Sequence, residues 1–234
     1  MVKAILLDCG GVLMRPLRGH WRLPVNYEEL FGDYRRFDPD KVAEAMKKHE
    51  FLLDEGQKVT TLKHEYDLRV LYTRRMADEL GLALTDEAVR AIAESLTYRF
   101  ERYHLYDDTV PMLAKWQSGG KKVGFVSNAM PSMVRALEQY DFYDKMDCSV
   151  VSCMIGKQKP GSDIFTFALD ELHLPANECV FLDDLSKNLT RAKIMGFKTI
   201  RMRRTPYTIE PAEDFEWEYT AHDLSEADAI IETL

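Results

Sequence analysis

The sequence predicts an α/β fold: a doubly wound, Rossmann-like parallel sheet with an inserted α-helical domain. Three features carry that prediction. Short, largely apolar runs without polar alternation, such as Val2–Leu7 with its single Lys3, Val123–Val126 and Val180–Leu182, read as strands buried on both faces, the habit of parallel sheets. From position 107 onward such runs alternate with helical stretches, which implies right-handed parallel crossovers. Between the first strand and position 107 the pattern is helical only, over a length that can fold as a lobe. The sheet domain is therefore discontinuous, residues 1–14 joined with 107–234. Residues 15–106 form a helical cap above the carboxyl edge of the sheet.

The first strand ends at Asp8, and Gly10-Gly11 let the backbone turn tightly and approach a ligand. Met14 to about Trp21 is basic and irregular. Asp38-Pro39-Asp40 supplies an N-cap with Pro at the first helical position, and Val42, Met46 and Phe51 share one side. Thr60 or Thr61 opens a second helix through Leu62, Tyr66, Leu68, Val70, Leu71 and Met76. Thr85 opens a third with Val89, Ile92, Leu96 and Phe100 at helical spacing. These apolar faces read as bundle core. Val110–Trp116 is a helix, Lys122–Asn128 a strand with a polar end, Pro131–Gln139 a helix and Cys148–Met154 a strand. Gly161–Leu172 is a helix, Glu178–Asp184 a strand ending in two carboxylates, Ser186–Met195 a helix and Lys198–Met202 a strand. The stretch from Thr205 to Thr220 carries no clear pattern. Ser225-Glu226-Ala227-Asp228 reads as a capping box for a last helix.

The 234 residues suffice for a full core, with 46% hydrophobic and 30% charged residues and no low-complexity tract. A net charge of −8 argues against nucleic-acid and anionic-membrane surfaces, which need an excess of Lys and Arg. Arg35-Arg36 and Arg201-Met202-Arg203-Arg204 are local exceptions, read as solvated ends of elements. Cys9, Cys148, Cys153 and Cys179 contain no Cys-x-x-Cys pair and read as reduced, buried thiols of a cytoplasmic protein. No segment has the length to span a bilayer. The expected state is a monomer or homodimer.

Four polar features fall at strand ends on one edge: Asp8, Ser127-Asn128, Lys159 and Asp183-Asp184. Singly, each has a plainer reading. Ser127-Asn128 serves as an N-cap, Lys159-Pro160 as a loop, and Asp183-Asp184 as a cap for the helix near Ser186. Together they are a site. Three carboxylates gathered there require a cation, and hard oxygen ligands suit Mg2+. Ser127 offers a hydroxyl and nearby backbone N–H groups to a phosphate oxygen, and Lys159 a point charge that screens Asp8 from an incoming anion. A carboxylate attacking a phosphoryl group needs that help, because both partners are negative.

This set of motifs resembles the haloacid dehalogenase superfamily of aspartate-nucleophile hydrolases. Asp8-Cys9-Gly10-Gly11-Val12-Leu13 looks like its first motif and Val126-Ser127-Asn128 like its second. Gly156-Lys157-Gln158-Lys159-Pro160, continuing to Ile164-Phe165, looks like the third. Val180-Phe181-Leu182-Asp183-Asp184, with Asn188, Ala192 and Gly196, is similar to the fourth. That last run also resembles the amino-terminal phosphatase domain of soluble epoxide hydrolases. The helical insertion is similar to the C1-type cap of subfamily I. The resemblance implies Asp8 as nucleophile, forming an aspartyl-phosphate. It implies Mg2+ held by Asp8, the Gly10 carbonyl and Asp184, with Asp183 behind them or bound through water. Ser127 and the Asn128 N–H would take phosphoryl oxygens, and Lys159 would hold Asp8 and the phosphate.

One position departs from the pattern. Most phosphatases of the superfamily carry a second Asp two residues after the nucleophile, as general acid and then base. Here it is Gly10, which keeps the carbonyl but removes a proton shuttle worth about two to four orders of magnitude. His20 is a substitute on position alone. The expected function is Mg2+-dependent hydrolysis of a small phosphorylated metabolite such as a sugar phosphate. The alternatives are a metal-independent 2-haloacid dehalogenase, or a weak or idle relative that binds a phosphorylated ligand or partner.

Overall fold

The structure, a computed structural model, describes residues 1–17, 21, 39–54, 56–204 and 217–234. The expectations for His20, Arg35-Arg36, the Asp38 N-cap and 205–216 lie outside these residues. In chain order the strands and helices are β1 (Ala4–Leu7), β2 (Met14–Pro16), α1 (Pro39–His49), α2 (Leu62–Glu79), α3 (Asp86–Tyr98), β3 (Tyr103–Leu105) and α4 (Thr109–Ser118). Then follow β4 (Lys122–Ser127), α5 (Pro131–Leu137), β5 (Cys148–Val151), α6 (Ser152–Ile155), α7 (Ser162–Leu172) and β6 (Cys179–Asp183). The last are α8 (Ser186–Ile194), β7 (Lys198–Met202), β8 (Thr220–Ala221) and α9 (Leu224–Ile231).

Six strands form a wholly parallel sheet in the order β5-β4-β1-β6-β7-β8. The chain builds outward from β1 to one side, then returns and builds outward to the other. Asp8 follows β1 directly, at the edge where that reversal opens a crevice for ligands. β1 lies between β4 and β6, with Leu6 beside Gly124 and Phe181. Ile5 and Leu7 pack on one face with Val123, Phe125, Val180 and Ile200. Ala4 and Leu6 pack on the other with Val126, Phe165 and Phe181. Both faces are covered, so the strand needs no polar alternation.

The helical segment leaves and rejoins the sheet through a narrow neck, where β2 pairs antiparallel with β3 in the register Met14↔Leu105 and Pro16↔Tyr103. The stretch expected to be irregular is therefore partly a strand, because its hydrogen-bonding partner lies far along the chain. α2 and α3 open on Thr61 and Thr85, whose hydroxyls accept from His64 N and Ala88 N, each at 3.2 Å. The buried residues of α3 include Val89, Ile92 and Leu96, as its spacing predicts.

Elsewhere the sequence reading is corrected. The buried stripe of α2 is Glu65, Arg69, Tyr72, Thr73 and Ala77, and Leu71 faces solvent, because a charged network occupies the contact with α5. Phe51 is exposed rather than packed with Val42 and Met46. β5 stops at Val151, where the backbone turns into α6 and frees the Ser152 hydroxyl for Ala129 N at 3.1 Å. Arg201 and Arg204 are buried, not solvated; Arg204 donates to the Val12 carbonyl at 2.7 Å and to Asp108 at 2.5 Å.

The capping box of α9 begins earlier than expected. Asp223 accepts from Glu226 N at 2.8 Å, and Glu226 accepts in return from His222 N at 2.8 Å. Asp228 is instead buried under α4, accepting from Trp116 Nε1 and Lys115 Nζ, both at 2.6 Å. Among the described residues no helix is long and apolar enough to cross a membrane.

Candidate active site

Asp8 continues the ladder of β1, its N–H donating to the Leu182 carbonyl at 2.8 Å. That bond ties the end of β1 to the end of β6, so Asp8, Asp183 and Asp184 share one spot. An oxygen from each lies within 4.8 Å of the others, and all three residues are buried. Lys159, 3% exposed, reaches in from the loop before α7, 2.8 Å from Asp8 Oδ1 and 2.6 Å from Asp183 Oδ2. Burial alone would lower the pKa of its ammonium, but Asp183 and then Asp8 outweigh it and hold the charge firmly.

The two adjacent carboxylates have different neighbours. Asp183 accepts from Leu185 N at 2.8 Å, from Asn188 Nδ2 on both of its oxygens at 3.0 and 3.1 Å, and from Lys159. It is bound into the protein and orients Lys159. Asp184 Oδ2 is buried with no hydrogen-bond partner. Burial first, then repulsion from Asp183 and Asp8, pushes its carboxyl up to about 8. A buried carboxylate oxygen without a donor is costly. With all three acids ionised and one lysine between them, two negative charges are in excess, the deficit that one divalent cation fills. Oxygen-only donors suit Mg2+.

Gly10 and Gly11 form the floor. Gly11 has φ of +74°, and a Cβ there would lie 2.8 Å from Asp184 Cγ, so only glycine leaves Asp184 its place. A Cβ on Gly10 would lie 3.2 Å from the Trp21 ring, which packs against Tyr103 with centroids 5.9 Å apart. The space of a position-10 side chain is therefore walled by indole. Cys9 is fully buried, and burial raises its thiol far above its usual value, so it is a packing residue.

Ser127 ends β4 with its hydroxyl 3.9 Å from Met133 Sδ, a weak acceptor. The Asn128 side chain has a role the sequence did not reveal. Its amide donates to the Lys159 carbonyl at 2.9 Å, and its oxygen accepts from Lys159 N at 2.8 Å. These reciprocal bonds fasten the loop after β4 to the lysine loop. The residues predicted at four strand ends thus meet in one place; His20, proposed as a substitute acid, lies outside the described residues.

Comparison with known proteins identifies the family and the fold. The haloacid dehalogenase-like hydrolase family matches residues 2–194. Bifunctional epoxide hydrolase 2 of Mus musculus is 34% identical over 232 residues, 91% of this chain, which spans 38% of that protein's length. Ribulose-1,5-bisphosphate 5-phosphatase of Halopiger xanaduensis is 26% identical over 206 residues, covering 85% of this chain and 81% of that protein. The crystal structure of L-2-haloacid dehalogenase PA0810 superposes with a TM-score of 0.70 at 18% identity over the whole of both chains, a likeness of fold. The chain is a hydrolase with a parallel α/β fold and belongs to the haloacid dehalogenase-like hydrolase family.

Proposed function

We propose that this hydrolase is a Mg2+-dependent phosphatase of small phosphorylated metabolites that works through an aspartyl-phosphate on Asp8. One observation carries the reading: the buried, partnerless oxygen of Asp184 beside two further carboxylates. Displacement of a halide by Asp8 requires no cation, and a site built for it gains nothing from a third buried acid. Asp8, the Gly10 carbonyl and Asp184 would hold the ion, with Asp183 behind them. When bound, Mg2+ neutralises charge between the nucleophile and the phosphoryl oxygens. Residues 15–106 act as a C1-type cap over residues 1–14 and 107–234. The four cysteines are buried and form no disulfide with one another, which supports a cytoplasmic setting.

The chain's own groups perform the rest. Lys159, paired with Asp8, keeps it aimed, and together with the Ser127 hydroxyl and the Asn128 N–H binds the phosphoryl oxygens. An Asp8 oxygen attacks phosphorus, the bond to the leaving oxygen breaks, and that oxygen takes a proton from solvent or substrate, since Gly10 supplies none. Water then attacks the phosphorus of the aspartyl-phosphate, releasing inorganic phosphate and restoring Asp8.

The second reading, 2-haloacid dehalogenation, is favoured by Gly10, because a departing halide needs no proton. One experiment separates the two. Phosphate release from a panel of phosphomonoesters is measured with Mg2+ and with EDTA, beside halide release from 2-chloropropionate, for the parent and Asp8→Asn. Mg2+-dependent phosphate release that Asp8→Asn abolishes is the expected result. Halide release indifferent to EDTA, or no phosphate release from any ester, refutes the proposal.

A further inference from the structure

Glu65 is a charged residue with no exposure at all, on a helix whose other buried residues are Arg69, Tyr72, Thr73 and Ala77. Its carboxylate accepts from Ser132 N and from Ser132 Oγ, each at 2.7 Å, and from Arg69 Nε at 2.8 Å. Ser132 is the second residue of α5. Pro131 before it has no N–H, and Met130 in the capping place makes no side-chain cap, so the Ser132 N–H is a donor that the local sequence leaves unsatisfied. Glu65 caps it from 67 residues away. Arg102 and Tyr103 close the network, with the Tyr103 hydroxyl 2.8 Å from Ser132 Oγ and an Arg102 donor 2.5 Å from the Trp21 carbonyl.

A second, separate contact lies just upstream. Val59 N donates to the Cys153 carbonyl at 2.8 Å, and the Gly56 backbone packs so closely on Gln158 that a Cβ there would lie 2.9 Å from its Cδ. The stretch from Gly56 to Glu65 therefore grips both loops of the sheet domain that the Asn128–Lys159 bonds join. The three acids, by contrast, hang from β1 and β6, and Lys159 is what links Asp8 and Asp183 to the lysine loop.

We propose that Glu65 is a positioning residue of the phosphoryl-binding subsite: by capping Ser132 it fixes the 127–131 loop, and with it the placement of Ser127 and Asn128 against Lys159. The inference rests on the phosphatase reading and adds that the phosphate half of the site is held by the helical insertion, whereas the metal half is held by the sheet.

The test is Glu65→Gln, which keeps the shape and removes the charge. Glu65→Gln with Arg69→Met avoids a lone buried guanidinium should the single variant fold poorly. Ser132→Ala is a mild third variant, because it removes only the hydroxyl contact. Competitive inhibition by inorganic phosphate and Mg2+ affinity by calorimetry are measured on the folded full chain. Displacing a binding group by even about an ångström costs roughly up to a hundred-fold. Inhibition by phosphate is thus expected to weaken about ten-fold or more in both Glu65 variants, and less in Ser132→Ala, with Mg2+ affinity unchanged. Unchanged phosphate inhibition in the folded variants overturns the inference, as does a parallel fall of phosphate and Mg2+ affinity, which is the mark of general loosening. Parent protein that ignores phosphate overturns the phosphatase reading and this inference with it.

Discussion

Replacing Asp184 with Asn should make the metal-free protein more stable. In the parent, Asp184 meets Asp8 and Asp183 with oxygens within 4.8 Å, and one of its own oxygens has no donor. At that distance and an effective dielectric near 20, one pair of charges repels by about 3.5 kcal/mol. Lys159 offsets one of the two repulsions at most. The carboxyl titration leads to a similar figure. Raising a carboxyl to about 8 destabilises the folded state by about 1.4 kcal/mol for each pH unit between its ordinary value and 8, on the order of 5 kcal/mol in all. The sign follows from proton uptake: the folded protein binds this proton more tightly than the unfolded chain, so stability falls as pH rises through that window. Urea unfolding in EDTA at about pH 5.5 and about pH 8.5 measures it. The parent should lose stability between the two, whereas Asp184→Asn should lose less and exceed the parent at the higher pH by roughly 3–5 kcal/mol. That corresponds to roughly 6–20 °C in melting temperature for a chain of this size. Millimolar Mg2+ should restore the parent and leave the variant nearly unmoved. A variant less stable than the parent in EDTA at the higher pH refutes the reasoning.

Two further outcomes follow from the same geometry. Lys159→Met should destabilise the protein by about 3–5 kcal/mol in EDTA, since Asp8 and Asp183 lose their shared buried counter-charge, and urea unfolding reads the loss directly. Gly11→Ala should fold yet bind Mg2+ at least about ten-fold more weakly by calorimetry, because the added methyl must displace Asp184 and strains a backbone at positive φ.

The sheet and the ends of its strands were legible because each is a local statement. Ala4–Leu7 is apolar throughout since both its faces are covered, and the polar residue that ends the run lies at the sheet edge. What escaped the sequence depends on partners far along the chain. Met14–Pro16 is too short to declare itself a strand and becomes one only against Tyr103–Leu105. Glu65 and Arg69 look like an ordinary solvated helix pair until α5 covers them. Asp183 and Asp184 are equivalent in sequence, and their roles divide only when Asn188, Leu185 and Lys159 all bind the first. The capping box was misplaced by two residues because Ser225 and Asp223 are both good caps. The hydrogen bond to Trp116 claims Asp228 for another purpose.

The two-stranded ribbon of β2 and β3 has a consequence for how this architecture diversifies. Because Met14 and Leu105 stand opposite each other in this ribbon, the excursion starts and finishes at one point. The entropy of closing such a loop grows only logarithmically, about 0.6 kcal/mol for each doubling in length. Enlarging, trimming or exchanging what lies between those strands therefore taxes the parent sheet very little, and the surface facing incoming molecules can be rebuilt while the acids beneath stay put.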